Sequence, residues 1–121
     1  IYKGGFFMAI DKSLLTGSTS MLLLKLLEEK DMYGYMMIEE LSKKSDNTFS
    51  LKAGTLYPLL HTLEEKNFVT SYDKISDTGR QRKYYSITKK GKHHLKEKKE
   101  EWQQYTSAVN KVLKGGMTFA Y

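Results

Sequence analysis

The sequence contains no cysteine, only one proline and no long run of apolar residues. Without cysteine the chain can form no disulfide, no thiolate zinc site and no cysteine nucleophile. The longest apolar block, residues 21–27, is interrupted by Lys25 and is far shorter than the roughly 18 residues that suggest a membrane-spanning helix. No basic start followed by a long apolar segment and a small-residue cleavage site is present. We therefore expect a cytoplasmic protein without a membrane partner.

The residue patterns of enzymes and metal sites are also missing. The histidines are His61, His93 and His94, and neighbouring residues on a helix point about 100° apart, so His93 and His94 cannot easily share a metal. No acidic residue recurs at metal-ligand spacing, and no serine elbow, phosphate-binding glycine loop or paired-carboxylate motif occurs. We expect no metal, no cofactor and no enzymatic activity.

What the chain does contain is a local excess of positive charge. The net charge of the 121 residues is +6, yet residues 79–100 carry nine lysines and arginines against two glutamates, an excess of +7. A solvated basic surface would explain such an excess without any partner. Because the excess begins at the tip of a predicted hairpin, nucleic acid is the favoured partner.

Residues 54–66 carry the clearest helical pattern. Their leucines recur at spacings of three and four and give the helix one apolar face. These leucines are Leu56, Leu59, Leu60 and Leu63. Pro58 lies about one turn inside the helix, where only one helical hydrogen bond is lost, so the helix can continue through it.

A β-hairpin is predicted directly after this helix. Two runs rich in aromatic and β-branched residues, 68–75 and 83–88, flank the turn sequence of residues 76–79. Tyr84 and Tyr85 point to opposite faces of the second strand, so we expect one of them to be in the core. A helix followed at once by a hairpin is what a winged helix needs.

The remaining helices are predicted over residues 11–30, with a break near 16–18, and over residues 33–44 and 88–113. We therefore predict a mainly α protein with a small β-hairpin: a winged helix-turn-helix followed by a long C-terminal dimerisation helix. Met8 is the expected native start. The expected organisation is an N-terminal extension (1–10), a winged helix-turn-helix domain (11–88), the dimerisation helix (89–114) and a tail (115–121).

The candidate DNA contacts are the outward residues at three points: the start of the first helix, the start of the third helix, and the hairpin tip. They are Lys12, Lys52, Thr55, Tyr57, Pro58, His61, Arg80, Arg82 and Lys83. Three alternatives stay open: Lys12 in an ordinary helix start, Tyr57 as a half-buried aromatic, and the tip cations as solubilising groups. The tip cations have no apolar environment to serve, which favours contact with phosphates or a groove.

The final helix carries an apolar seam of residues that recur at about seven-residue spacing, with Lys98 as a polar break. The seam, which is the predicted dimer interface, consists of Leu95, Trp102, Tyr105, Val109 and Val112. A second copy of the chain is the expected partner, in a two-fold homodimer. The alternative is that the seam folds back on the first helix of the same chain, and both arrangements can hold together.

The stretches "YGYMMIEEL", "GTLYPLLHTLEEKNFV" and "GRQRKYYSITKKG" resemble the PadR family of bacterial transcriptional repressors. The resemblance covers roughly residues 14–113, and the single C-terminal helix is similar to the shorter subgroup. It implies a homodimer on a palindromic promoter element, with the third helix in the major groove and the hairpin tip on the backbone or minor groove. The DNA contacts that the resemblance implies are Thr55, Tyr57, Pro58, Arg80 and Lys83.

The resemblance also implies a ligand site, since some family members bind planar aromatic or phenolic compounds between subunits, against a tryptophan on the last helix. Trp102 stands at the matching place, with Lys98 near it. Packing across the dimer is favoured over ligand stacking for Trp102. The competing function is a winged helix that binds protein or RNA without operator specificity. Used for protein contact, it would make the tip cations dispensable and remove a steep salt dependence.

Overall fold

The structure is a computed structural model that describes residue 10 and residues 12–115, apart from the side chains of residues 12–14 and 16. Most of the expected N-terminal extension and tail lies outside these residues. The helices are α1 (Lys12–Glu29), α2 (Gly34–Lys44), α3 (Ala53–Glu65) and α4 (Lys89–Lys114). The strands are β1 (Met32–Tyr33), β2 (Val69–Ile75) and β3 (Gln81–Ile87). The mainly α fold, with its winged helix-turn-helix order and long final helix, is confirmed.

The core lies between the first three helices, one face of the sheet and the start of α4. Its largest fully buried side chains are Leu23, Leu24, Leu27, Met32, Met37, Leu56, Leu60, Val69 and Leu95. Full burial of one such side chain stabilises the fold by about 1.5–3 kcal/mol relative to exposure. Because α3 buries its leucine face in this core, its opposite face points outward.

Helix α1 runs without interruption through the position where a break was predicted, so that prediction is wrong. The mid-helix glycine, Gly17, has open space around the position of a Cβ atom. A glycine in a helix interior costs only about 1 kcal/mol relative to alanine. The burial of Leu23, Leu24, Leu26 and Leu27 on the following turns outweighs that cost.

The three strands form one antiparallel sheet in the order β1-β3-β2. β1 pairs Tyr33 with Tyr84, and β2 pairs Tyr72 with Tyr84 on the other side of β3. The sequence did not reveal β1, because two residues cannot show an alternating pattern. At the tip, the amide of Ser76 donates to the carbonyl of Arg80 (2.8 Å), and Gly79 takes a φ of 84°. The hairpin β2–β3 with its connecting loop, residues 76–80, is called the wing below.

Helix α4 begins at a compact joint with the end of α3. The hydroxyl of Thr88 accepts a hydrogen bond from the amide of Gly91 (2.9 Å) and donates to the carbonyl of Asn67 (2.7 Å). The amide of Thr88 donates to the carbonyl of Phe68 (3.0 Å). Thr88 therefore caps α4, as predicted, and also ties it to the turn between α3 and the wing.

None of the helices in the described part of the chain is long and apolar enough to cross a membrane.

Candidate nucleic-acid interface

The amino-terminal end of α3 is exposed and carries no side-chain cap. Lys52 precedes the first helical residue and its side chain makes no capping hydrogen bond. The outward residues of this end, all exposed, are Lys52, Ala53, Thr55, Tyr57, Pro58 and His61. A helix start that bears a lysine and a threonine hydroxyl, and whose N-cap side chain makes no hydrogen bond, is well suited to an anionic backbone.

Tyr57 fits in part both interpretations that the sequence left open, namely an outward DNA contact and a half-buried aromatic residue. Its side chain is 46% exposed, on the outward side of α3. Its hydroxyl end lies so close to Gly34, the first residue of α2, that a Cβ atom at Gly34 would overlap it. Gly34 therefore leaves room for the hydroxyl end of the ring, while Tyr57 as a whole stays nearly half exposed.

The carboxyl-terminal end of α3 is acidic and partly occupied by contacts within the chain. Glu64 accepts a hydrogen bond from the hydroxyl of Ser71 on β2 (2.7 Å). Glu65 lies 3.4 Å from His61 Nε2, which makes an ion pair only when the histidine is protonated. These carboxylates would repel phosphate, so the amino-terminal end of α3 is the end suited to DNA.

The wing presents its cations in two different environments. Arg80 and Lys83 are exposed, and neither forms an ion pair with a described residue. Arg82 is half-buried instead, with its guanidinium carbon 5.0 Å from the centre of the Tyr33 ring. The prediction that all three tip cations lack an apolar environment is therefore wrong for Arg82.

Both tyrosines of β3 are buried, on opposite faces of the sheet. Tyr85 belongs to the core, whereas Tyr84 is covered by Tyr72, stacked at 5.8 Å, and by the edge of Tyr33 at 5.3 Å. The Tyr72 hydroxyl donates to the carboxylate of Asp31 (2.6 Å), and this hydrogen bond raises the pKa of Tyr72 above its ordinary value. The outer face of the sheet is thus an ordered aromatic layer, which the sequence did not predict.

Lys12, the remaining candidate DNA contact, is the first residue of α1, and its side chain lies outside the described part of the chain.

The apolar seam on α4 divides into a buried start and an exposed remainder. Leu95 is 1% exposed and packs in the chain's own core, so it has no surface left for a partner and its place in a dimer interface is corrected. Trp102, Tyr105 and Val112 are 44%, 59% and 80% exposed. Val109 is half-buried. The part of the seam after Leu95 is therefore a largely uncovered apolar surface.

A groove of about 360 Å³ runs between α1 and this part of α4. Its lining includes Met21 and Leu24 on α1 and Lys98, Trp102 and Tyr105 on α4. Lys98 Nζ donates to the carboxylate of Glu101 at 3.0 Å. The structure thus places the two candidate ligand-binding residues, Trp102 and Lys98, on one apolar groove.

His94 connects α4 to the end of α3 by stacking on Phe68, with 4.1 Å between ring centres and 11° between planes. Burial, followed by the charge of Lys98, lowers the pKa of His94 below its ordinary value. A lowered pKa means that the unfolded chain binds the proton more readily than the folded one. Protonation therefore favours unfolding, and stability decreases as the pH falls through the ordinary histidine pKa of about 6.5.

We expect the thermal midpoint to fall between about pH 7.5 and pH 5.5, and the His94→Phe variant to lose part of that fall because the ring still stacks but cannot titrate. Differential scanning fluorimetry across this range measures the effect. His93→Gln is the matched control, since His93 is the neighbouring histidine on α4 and is exposed, with the Glu97 carboxylate 3.4 Å from its Nε2 atom. An unchanged pH dependence in His94→Phe would contradict this assignment.

The amino-acid sequence is similar to a known protein family and to a protein of another bacterium. The sequence profile of the transcriptional regulator PadR-like family matches residues 23–97, more than half of the chain. An uncharacterised protein of Lysinibacillus sphaericus is 35% identical over 107 residues, which are 88% of this chain and 97% of that protein.

Solved structures of similar proteins share the fold. A PadR-like transcriptional regulator of Bacillus cereus superposes with a TM-score of 0.77 at 33% identity, over 86% of this chain and 99% of that chain. A PadR family transcription regulator of Clostridium difficile gives a TM-score of 0.69 at 37% identity, over 80% and 99% of the two chains. A transcriptional regulator of Clostridium thermocellum gives 0.76 at 33% identity, over 83% and 97%.

Proposed function

The chain belongs to the transcriptional regulator PadR-like family, and on that premise we propose that it represses transcription by occupying a palindromic promoter site as a homodimer. Membership of this family makes the chain a DNA-binding winged-helix transcriptional regulator and not an enzyme. The repressor role, the symmetry of the site and the dimer are the parts of the proposal that go beyond that membership.

The observation that carries the proposal is an exposed α3 start beside wing cations that form no ion pair with any described carboxylate. In the proposed complex, the start of α3 enters the major groove, where Thr55 can donate a hydrogen bond, and Pro58 and the exposed part of the Tyr57 ring can pack on bases such as a thymine methyl group. Arg80 and Lys83 contact the backbone or the minor groove beside it. The proposed set of contacts is completed by Lys12, Lys52, His61 and Arg82.

The proposed dimer is supported by the exposed part of the α4 seam. Trp102, Tyr105 and Val112 form a large apolar surface on a helix that extends past the core, and such surfaces usually mark interaction sites. A two-fold dimer through α4 would present two copies of α3 to successive major grooves about 34 Å apart.

The proposed effector is a planar aromatic or phenolic compound bound in the groove beside Trp102. The groove offers an apolar wall and, at Lys98, a cation that could meet a polar group of the ligand. A ligand that changes the angle between the two α4 helices would change the separation of the α3 helices and release DNA. The joint at Thr88 and Gly91 supports this coupling, because it fixes α4 directly to the end of α3.

The experiment is a fluorescence anisotropy titration of the protein with the DNA upstream of its own gene, at several salt concentrations. We expect Arg80→Ala combined with Lys83→Ala to weaken binding by about tenfold or more, and the slope of log affinity against log salt to fall by about 0.9 per lost phosphate contact. The charge-matched control is Lys25→Ala with Lys30→Ala, two exposed lysines of which the first lies on α1 and the second directly follows it. Equal effects of the two double variants would count against the proposed interface.

A further inference from the structure

The outer face of the wing carries two cations side by side. Alternation along the strands places one set of residues opposite the core-facing Val69 and Tyr85. This outer set consists of Thr70, Tyr72, Lys74, Arg82, Tyr84 and Ser86. Lys74 and Arg82 are direct cross-strand partners, next to the tip. Like charges directly opposite each other destabilise a hairpin, so the two positive charges repel each other in the free wing.

Neither cation is neutralised by a carboxylate of the described residues. Each rests on a tyrosine ring instead: Lys74 Nζ lies 5.2 Å from the centre of Tyr84, and the Arg82 guanidinium lies 5.0 Å from the centre of Tyr33. An aromatic ring attracts a cation without cancelling its charge. Both positive charges therefore stay available to an anion.

The acidic residue of the same face is held away from the two cations. Asp31 directly precedes β1, and the register of β1 puts it at the end of the sheet farther from the wing tip. The hydroxyl of Tyr72 binds its carboxylate at 2.6 Å. The row of Tyr33, Tyr84 and Tyr72 therefore separates the anionic end of the outer face from the cationic end.

The side chain of Arg82 is held by its surroundings within the chain, without a bound anion. Its side chain is half-buried, and its Nε atom is buried without a hydrogen-bond acceptor among the described residues. Contact with the Tyr33 ring restricts the rotamers of the side chain, so less conformational entropy is lost when the guanidinium binds. The remaining guanidinium nitrogens can present a planar fork to phosphate oxygens.

We propose that Lys74 and Arg82 form a clamp for one phosphate of the DNA backbone on the outer face of the wing, and that Tyr33 and Tyr84 are its positioning residues. This inference rests on the proposed function, because it adds a backbone contact to the same DNA complex. It assigns to Lys74 a role in binding, and it changes the role of Arg82 from a free tip cation to a preordered one.

The test uses the full chain and a labelled duplex of promoter DNA, with affinity measured from low to moderate salt. We expect Lys74→Ala and Arg82→Ala each to weaken binding several-fold and to lower the salt slope by about 0.9 per lost contact in each subunit. Lys30→Ala removes the same charge at an exposed site away from the tip and should leave the slope unchanged. Tyr33→Leu should weaken binding several-fold with the charge intact, whereas Tyr33→Phe should bind like the unchanged protein because it keeps the ring.

The outcomes separate this inference from the proposed function. If Arg80→Ala weakens binding while Lys74→Ala and Arg82→Ala leave the affinity and salt slope unchanged, the clamp is overturned and the proposed interface stands. If Tyr33→Leu binds like Tyr33→Phe, the positioning role is overturned even if the cations matter. If none of the wing variants, Arg80→Ala included, changes binding, both the clamp and the proposed wing contact fail.

Discussion

Replacing Gly91 with alanine is expected to lower the free energy of unfolding by about 2–3 kcal/mol, because the added methyl group has no room. A Cβ atom at this position would overlap the backbone carbonyl oxygen of Phe68 and would also press on the Ile87 side chain. The carbonyl cannot simply move away, since it accepts the hydrogen bond from the amide of Thr88. The joint between α4 and the end of α3 must therefore open for the methyl group to fit.

Gly17→Ala is the matched control, because Gly17 also lies inside a helix but has nothing within 4 Å of its Cβ position. There the same substitution should raise the free energy of unfolding by about 0.5–1 kcal/mol, through the better helix propensity of alanine. Urea unfolding of both variants gives the comparison. A Gly91→Ala variant as stable as the unchanged protein would show that the joint is not closely packed.

Replacing Trp102 with alanine is expected to weaken the proposed dimer by about 2–4 kcal/mol, roughly 30- to 1,000-fold in dissociation constant. Trp102 is 44% exposed beside Tyr105 on α4, and large aromatic residues near the centre of an interface contribute most of its binding energy. Promoter affinity should fall with it, because each half of a palindromic site is then bound separately. Sedimentation velocity over a range of concentrations measures the change.

Tyr35→Ala is the control for this experiment. Tyr35 is 57% exposed on α2 and, like Trp102, is an aromatic side chain on a helix, but it lies outside the α4 seam. Its removal should leave the association state unchanged. A Trp102→Ala variant that sediments like the unchanged protein at every concentration would contradict a dimer through α4 and would leave Trp102 as a ligand contact alone.

The element best predicted from sequence is α3 with the wing that follows it. Four leucines at helical spacing are enough to define the buried face of α3, and burial then determines which residues point outward. The turn at residues 76–79 has a glycine at the position that needs a positive φ, so the hairpin was also recognisable. Short-range sequence patterns were sufficient here, because the residues that define α3 and the hairpin turn lie within those elements themselves.

The outer face of the sheet could not be predicted, because its order depends on a strand of only two residues. If β1 is not recognised, the sequence gives no neighbour for Tyr33, and Arg82 is interpreted as an unrestrained cation at the tip of the hairpin. Once β1 pairs with β3, Tyr33 lies opposite Tyr84 and within reach of Arg82. Cross-strand contacts of this kind depend on register, and register is a property of the assembled sheet.

The apolar seam on α4 shows that a repeat in the sequence does not identify what packs against each of its residues. A seven-residue spacing identifies residues on one face of a helix, but it does not say which molecule covers each of them. Leu95 is covered by the chain's own core, and Trp102, two turns later, is not. Trp102 instead borders the open groove between α1 and α4.

Hydroxyl-radical footprinting of the DNA upstream of the gene shows whether two recognition helices occupy a palindromic site. We expect two symmetrically related protected segments, with centres about 10 base pairs or a small multiple of that apart. Arg80→Ala with Lys83→Ala should abolish both segments together at the same protein concentration. A single protected segment would contradict the two-fold arrangement, and the absence of selective protection by an intact dimer would identify the winged helix as a protein-interaction module.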